Sequence, residues 1–404
     1  MVFIFIALSS LALDNGIGLT PALGWRSYNA FGGRPTQAIM DDMLTMMVDR
    51  SRSVNGKPTS LLDLGYNRFG LDGGWNFCFP ENNTFHLKDG TPVWNELFPD
   101  PAGLVQRAHA NGLLPGWYLN NCGCAEHAFS GEDVEVMMKG SVRMLAEQGW
   151  DGVKFDSCSQ FHNLTRWAEL INATGRKVLI ENCHQGGFTP GMRQWQGYAK
   201  GTNASGSYKH FLGLFYGLAS ATVLTNVTFN DCRAHCDSLQ TGCGGFCFAA
   251  EHPAPQSVLT QCYLSRSATP NHMDMSNANF CTGASDPSDC PYHMYRVSGD
   301  ISASWHSMLA NLEYTTPFLG EGGVHPPYPQ DHTVRSRPGG FAYPDMLEVG
   351  NLANATEDRS HFAAWVVVSS PLILSFNLSD ASRMDRVWPF ISNRALLVRG
   401  PDGT

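Results

Sequence analysis

The strongest constraint on this chain is a repeat. From Ala22 to about Gly187, short apolar runs alternate with longer amphipathic stretches at a spacing of roughly 30–40 residues. The runs are Ala22–Trp25, Tyr66–Asp72, Leu114–Leu119, Gly152–Asp156 and Lys177–Glu181. The stretches between them, Thr36–Arg50, Pro101–Asn111, Glu132–Gln148 and Leu164–Ala173, are predicted helices. In the third, Val134, Met137, Met138, Val142 and Leu145 recur at helical spacing. Strand, helix, strand in this order predicts βαβ units and a parallel sheet. Several runs end in a polar or ionisable residue followed by a glycine-rich or cysteine-bearing loop, and a barrel carries its active site at those carboxyl ends.

Between 188 and 289 the pattern breaks. Cys232, Cys236, Cys243, Cys247, Cys262 and Cys281 crowd together there among scattered Asn, Ser, Pro and Gly. That density reads as a disulfide-stapled module over about 225–285, with a core too thin to stand without its bridges. The spacing Cys243-x-x-x-Cys247 leaves a zinc site as the other reading. The βα pattern resumes from 290 to 404, with helices expected over Ile301–Leu312 and Asp358–Val368, a last strand over Pro371–Ser375 and a closing helix from Ala381.

The chain has 404 residues, 12 cysteines and a formal net charge of -9, with no basic run, so nucleic acid is not an expected partner. Residues 1–12 read as a signal peptide: the apolar stretch is too short to span a bilayer and ends in Ser10-Leu11-Ala12. Sequons begin at Asn82, Asn163, Asn172, Asn203, Asn226, Asn354 and Asn377. With an even cysteine count they point to the secretory route and to an extracellular or lysosome-like compartment. No later stretch is apolar for long enough to predict a membrane span.

Four carboxylates stand where chemistry is expected. In Gly152-Val-Lys154-Phe155-Asp156 the period of two places Lys154 and Asp156 on one side of a strand end, as a catalytic carboxylate with a cation or as a structural ion pair. Asp300, in Arg296-x-x-x-Asp300, is either a proton donor or the cap of the following helix. Asp345 follows Pro344 in a Gly/Pro-rich loop, and Asp72 ends the second run. Tyr28, Trp75, Trp117 and Tyr118 lie near strand ends, where aromatic faces stack on sugar rings or fill the core.

Six stretches, in order, resemble glycoside hydrolase family 27, the α-galactosidases. They are Leu13-Asp-Asn-Gly with Thr20-Pro-x-x-Gly24-Trp25; Gly65-Tyr-x-x-Phe-Gly-Leu-Asp72 with Trp75; Gly116-Trp-Tyr118; Lys154-Phe-Asp156-x-Cys158; Arg296-x-x-x-Asp300-Ile-x-x-Ser304-Trp305; and Pro338-Gly-Gly-x-x-x-Pro344-Asp345-Met346-Leu347. The resemblance implies a (β/α)8 TIM barrel and a retaining hydrolase of terminal α-galactosyl residues. In that reading Asp156 is the nucleophile and Asp300 the acid/base, with Tyr28, Asp72, Tyr118, Lys154, His184, Arg296 and Asp345 around the sugar. It further implies that Cys158 pairs with Cys122 or Cys124, that Cys78 takes the other, and that Cys183 pairs with Cys290. The cysteine-rich module resembles an apple/PAN domain, a class that binds proteins or carbohydrates. No metal or organic cofactor is implied.

The chain departs from the family at Gly73, where a second aspartate usually helps hold the sugar's C4 and C6 hydroxyls, and at His184, where Glu or Ser usually faces C2. The antiparallel β-domain that usually follows the barrel is not expected here. These departures keep α-N-acetylgalactosaminidase and β-L-arabinopyranosidase specificities open, and with them a non-catalytic glycan-binding or structural role.

Overall fold

A computed structural model describes residues 15–119, 124–126, 132–156, 164–183, 195–200, 208–212, 222–239, 242–249, 258–265, 291–313, 315, 336 and 338–397. Eight strands form one sheet: β1 (Leu23–Arg26), β2 (Arg68–Gly70), β3 (Leu114–Leu119), β4 (Gly152–Phe155), β5 (Leu179–Asn182), β6 (Met294–Arg296), β7 (Phe341–Tyr343) and β8 (Leu372–Leu374). From β1 to β7 each pairs in parallel with the next, and β1 pairs with β8 (Leu23 opposite Leu372). A parallel bridge from Leu347, just past β7, to Leu374 of β8 closes the ring. The fold is a (β/α)8 barrel, as the repeat and the resemblance imply.

Helices follow seven of the strands: α1 (Gln37–Val48), α2 (Pro101–Ala110), α3 (Glu132–Gln148), α4 (Leu164–Ala173), α5 (Trp305–Glu313), α6 (Ala355–Val367) and α7 (Ala381–Ile391). Their limits have local causes. The Thr36 hydroxyl accepts from the N–H of Ile39 at the start of α1 (3.2 Å), and Met40, Met43, Leu44 and Met47 form its buried stripe. Asp100 caps α2, with Pro101 in its first turn. Close strand packing also sets residue choice: a Cβ on Gly24 would stand 2.3 Å from the Arg68 carbonyl oxygen on β2.

The insertion lies between β5 and β6. Its described part is a five-stranded antiparallel sheet, ordered Thr222–Thr228, Val258–Ser265, Gly245–Ala249, Trp195–Lys200, Tyr208–Leu212. The sheet reaches back to Trp195 and so recruits two strands ahead of the cysteine-dense stretch. A helix, Phe229–Ser238, starts at a Thr228/Asp231 capping box. Cys232–Cys262 ties that helix to a strand and Cys236–Cys243 ties it to the following turn, around Phe246, Phe248 and Leu264. The zinc reading of Cys243-x-x-x-Cys247 is therefore overturned, because a disulfide holds the Cys243 sulfur.

In the barrel, Cys78 pairs with Cys124. Cys122, Cys158, Cys281 and Cys290 lie outside the described residues, as do residues 1–12 and His184. Among the described residues no helix is long and apolar enough to cross a membrane.

Candidate active site

The carboxyl ends of the strands gather most of the residues picked out in the sequence. Asp72, two residues past β2, is almost fully buried. Its N–H donates to the Ser27 hydroxyl (3.0 Å), and its Oδ1 accepts from the N–H of Gly73 (2.8 Å). Its Oδ2 accepts from Lys154 Nζ on β4 (2.9 Å). The cation of the Lys-x-Asp pair thus serves Asp72, whereas the period-two argument had aimed it at Asp156. Burial works to lower the Lys154 ammonium, but Asp72 foremost, joined by Cys183 and Glu181, more than offsets it and holds the ammonium well above its ordinary value. Lys154 Nζ also lies 5.2 Å from the centre of the Tyr118 ring.

Asp156 directly follows β4 and is half-buried. Its N–H donates to the Leu119 carbonyl (3.0 Å), and its Oδ2 accepts from the Tyr118 hydroxyl at 2.6 Å, a short charge-assisted bond that orients the carboxylate. Arg296, at the end of β6, reaches two more carboxylates. Its Nη2 donates to Asp300 Oδ1 (2.6 Å) and its Nη1 to Asp345 Oδ2 (3.2 Å). The guanidinium is buried, as is Asp345, but the Asp300 side chain is 75% exposed. Burial works against the charge on Arg296, while Asp345 foremost, then Cys183, Asp300 and Asp156, more than restore it.

Asp345 has φ +90°, a conformation that costs a non-glycine residue on the order of 1–3 kcal/mol. The surroundings over-determine it. Its Oδ2 accepts from the N–H of Ile301 (2.9 Å), its Oδ1 from that of Met346 (2.7 Å), and its carbonyl from the Trp365 indole (2.8 Å). Burial pushes its carboxyl up, but Arg296, Lys154 and the two N–H groups hold it below the usual range.

The capping alternative for Asp300 fails. Helix α5 starts later than expected, and Ser304 caps it, accepting from the N–H of Ser307 (3.2 Å). Tyr28, 47% exposed, lines an open cleft with Ile301 and Ala303, which closely follow Asp300. Trp75 and Trp117 are core instead: they are fully buried, with ring centroids 4.9 Å apart, beside Trp94 and Trp150.

Three participants escaped the sequence reading. Glu348 lines the same cleft, almost fully buried, and accepts from Asn29 (2.9 Å) and Asn351 (2.7 Å). Burial pushes it up to about 7 against the Asn351 bond, with Asp345 adding to the rise. Arg26 and Glu181 bond to each other near the strand ends; Glu181 closes a run read in the sequence, whereas Arg26 follows directly on the run Ala22–Trp25. A Ser141–His86–Glu126 chain, with contacts of 3.0 Å each, has the order of a hydrolytic triad. All three residues are buried, so substrate has no route to it and it serves as packing.

Residues 270–395 match a family model described as Alpha galactosidase A. The chain is 30% identical over 204 residues to α-galactosidase D of Emericella nidulans, covering 43% of this chain and 27% of that protein. It is 25% identical over 382 residues to a probable α-galactosidase B of Penicillium simplicissimum, covering 93% and 68%. The chain thus spans between about a quarter and two thirds of these relatives. A solved α-galactosidase from Saccharomyces cerevisiae superposes with a TM-score of 0.56 at 17% identity, over 96% of this chain and 65% of that one. In sequence and in barrel architecture, the chain is similar to the α-galactosidases.

Proposed function

We propose that this protein is a retaining glycoside hydrolase acting on terminal α-galactosyl residues of oligosaccharides or glycoconjugates. One observation carries the reading: a half-buried carboxylate, Asp156, oriented by the Tyr118 hydroxyl, shares the barrel mouth with an exposed carboxylate, Asp300, tethered to Arg296. An Asp156 oxygen attacks the anomeric carbon while the bond to the leaving oxygen breaks and takes the proton of Asp300. Asp300, now a base, deprotonates a water that displaces Asp156 from the same carbon, with net retention. Asp72 with Lys154, and Asp345 with Arg296, hold the sugar hydroxyls, and Tyr28 and Tyr118 wall the ring.

Gly73 favours a second specificity. The nearest atom a Cβ there would meet is in the Tyr118 ring, at 3.5 Å, an ordinary contact, so there is room for a side chain that the sequence leaves out. A pyranose without a C6 hydroxymethyl group needs no partner at that point, which supports β-L-arabinopyranosidase activity as the alternative. The disulfides support a secreted or lysosome-like setting. The apple-like resemblance supports a protein or glycan ligand for the insertion.

The test is turnover of aryl α- and β-glycosides, α-galactoside, α-N-acetylgalactosaminide and β-L-arabinopyranoside included, from pH 4 to 7 beside Asp156→Asn. Inversion at the anomeric carbon, turnover in the variant, or no turnover on any glycoside would each sink the proposal. The last would leave a glycan-binding or structural role.

A further inference from the structure

We infer that the Arg26–Glu181 ion pair is a strut across the barrel that positions Asp72 and Lys154 for the sugar, an inference that rests on the sugar-binding reading of those two residues. Counted either way round the ring of eight, β1 and β5 lie four strands apart, on opposite walls. Arg26 ends β1 and Glu181 lies in β5, and the guanidinium grips the carboxylate through both oxygens, with Nη1 2.7 Å from Oε1 and Nη2 on Oε2. The same guanidinium turns its Nε toward Asp72 Oδ2, 3.9 Å away.

The surroundings close the figure. Asp72 Oδ2 also takes Lys154, and Lys154 lies in register with Glu181 on the adjacent strand, so both side chains point into the barrel. Cation and anion therefore alternate round four corners, three of them buried and Arg26 partly so: Lys154, Asp72, Arg26, Glu181. Glycine keeps the passage open, since a Cβ on Gly70 would stand 3.0 Å from Arg26 Nε and 3.2 Å from its Cγ.

Stability does not account for this arrangement. Barrel interiors are ordinarily filled with branched apolar side chains, and a buried ion pair replaced by such groups is often neutral or stabilising. Its contribution is placement: β2 and β4, which carry the sugar-holding pair, are locked against the two walls that carry the strut. Arg26 acts through Asp72 and is a positioning residue.

The test compares Arg26→Met, the double variant Arg26→Met/Glu181→Leu and Arg26→Lys with wild type. The readouts are thermal midpoint, kcat and KM on an aryl α-galactoside, and calorimetric affinity for free galactose. Arg26→Met leaves Glu181 unpaired and should melt early. The double variant should regain the wild-type midpoint yet lose tenfold or more in kcat/KM, mostly through KM, with galactose affinity falling in parallel. Arg26→Lys keeps the charge but not the two-pronged grip, and should melt like wild type with an intermediate rise in KM. A double variant or an Arg26→Lys variant with wild-type KM and galactose affinity would overturn the strut. If wild type neither turns over nor binds galactose, the sugar-site reading falls first and the strut with it.

Discussion

Arg296→Met offers the most discriminating measurement, because its effect on stability must depend on pH in a stated direction. Arg296 Nη1 stands 3.2 Å from Asp345 Oδ2, and both side chains are buried. At an effective dielectric of ~20 that attraction is about 5 kcal/mol, and removing one partner of a buried pair costs ~3–5 kcal/mol. The bond to Asp300 adds little, since that carboxylate is exposed. For 404 residues, at ~2.1 cal/mol/K per residue, the loss near neutral pH corresponds to roughly 4–6 °C in Tm.

The pH dependence follows from Asp345. Burial works to raise its carboxyl, and Arg296 is the largest influence holding it down. In wild type its contribution is complete above the unfolded-state value near ~4 and is lost only as pH falls through the lower folded value. In the variant burial prevails, the folded value moves above the unfolded one, and the carboxyl is tolerated best when neutral. The deficit in Tm should therefore be smallest near pH 4 and widen toward pH 7 in scans at one heating rate. A deficit that is constant, or that narrows as pH rises, would refute the account of Asp345 as a carboxylate kept charged by Arg296.

Three further outcomes are expected. Glu348, raised to about 7, makes wild-type stability fall as pH climbs from ~4 to ~7, by on the order of 3 kcal/mol; Glu348→Gln should abolish that slope in denaturant titrations. Ser304→Ala should cost ~1 kcal/mol as a lost helix cap, whereas Asp300→Asn should change unfolding stability by less than ~0.5 kcal/mol while removing turnover; equal destabilisation by both would restore the capping role to Asp300. Replacing Cys78 and Cys124 together by Ser opens a span of 46 residues and should cost about 4 kcal/mol, read from the urea midpoint.

Local features were legible in the sequence, and what depends on closing the ring was not. Leu114–Leu119, Glu132–Gln148 and Leu164–Ala173 appear with the limits read from periodicity, since their boundaries are fixed by neighbouring residues. The runs ending at Asp72 and Asp156 also form strands, which stop at Gly70 and Phe155. Partner choice is another matter. Lys154 looked like the partner of Asp156 because they share a strand end, but its bond runs to Asp72, 82 residues away. Glu181 closes the run Lys177–Glu181, but Arg26 falls one residue past the run Ala22–Trp25, and their union requires the first and fifth strands to face each other. Trp75 and Trp117 had the composition of sugar platforms, and only the packing of four tryptophans shows that they are core. Glu348 immediately follows Leu347 in the matched loop, and its burial, which sets its chemistry, is a property of the whole.

The insertion between β5 and β6 bears on how the chain is made. Five parallel strands leave the ribosome in order, and β5 then presents an unpaired rim until Met294 arrives opposite Glu181. At ~5–20 residues per second, the span from Asn182 to Met294 keeps that rim waiting for roughly 5–20 s, while the inserted sheet gathers its own disulfides. Arg26 is present throughout this pause, and so is Glu181. The half-ring can therefore be drawn together by its own charges before its last three staves exist.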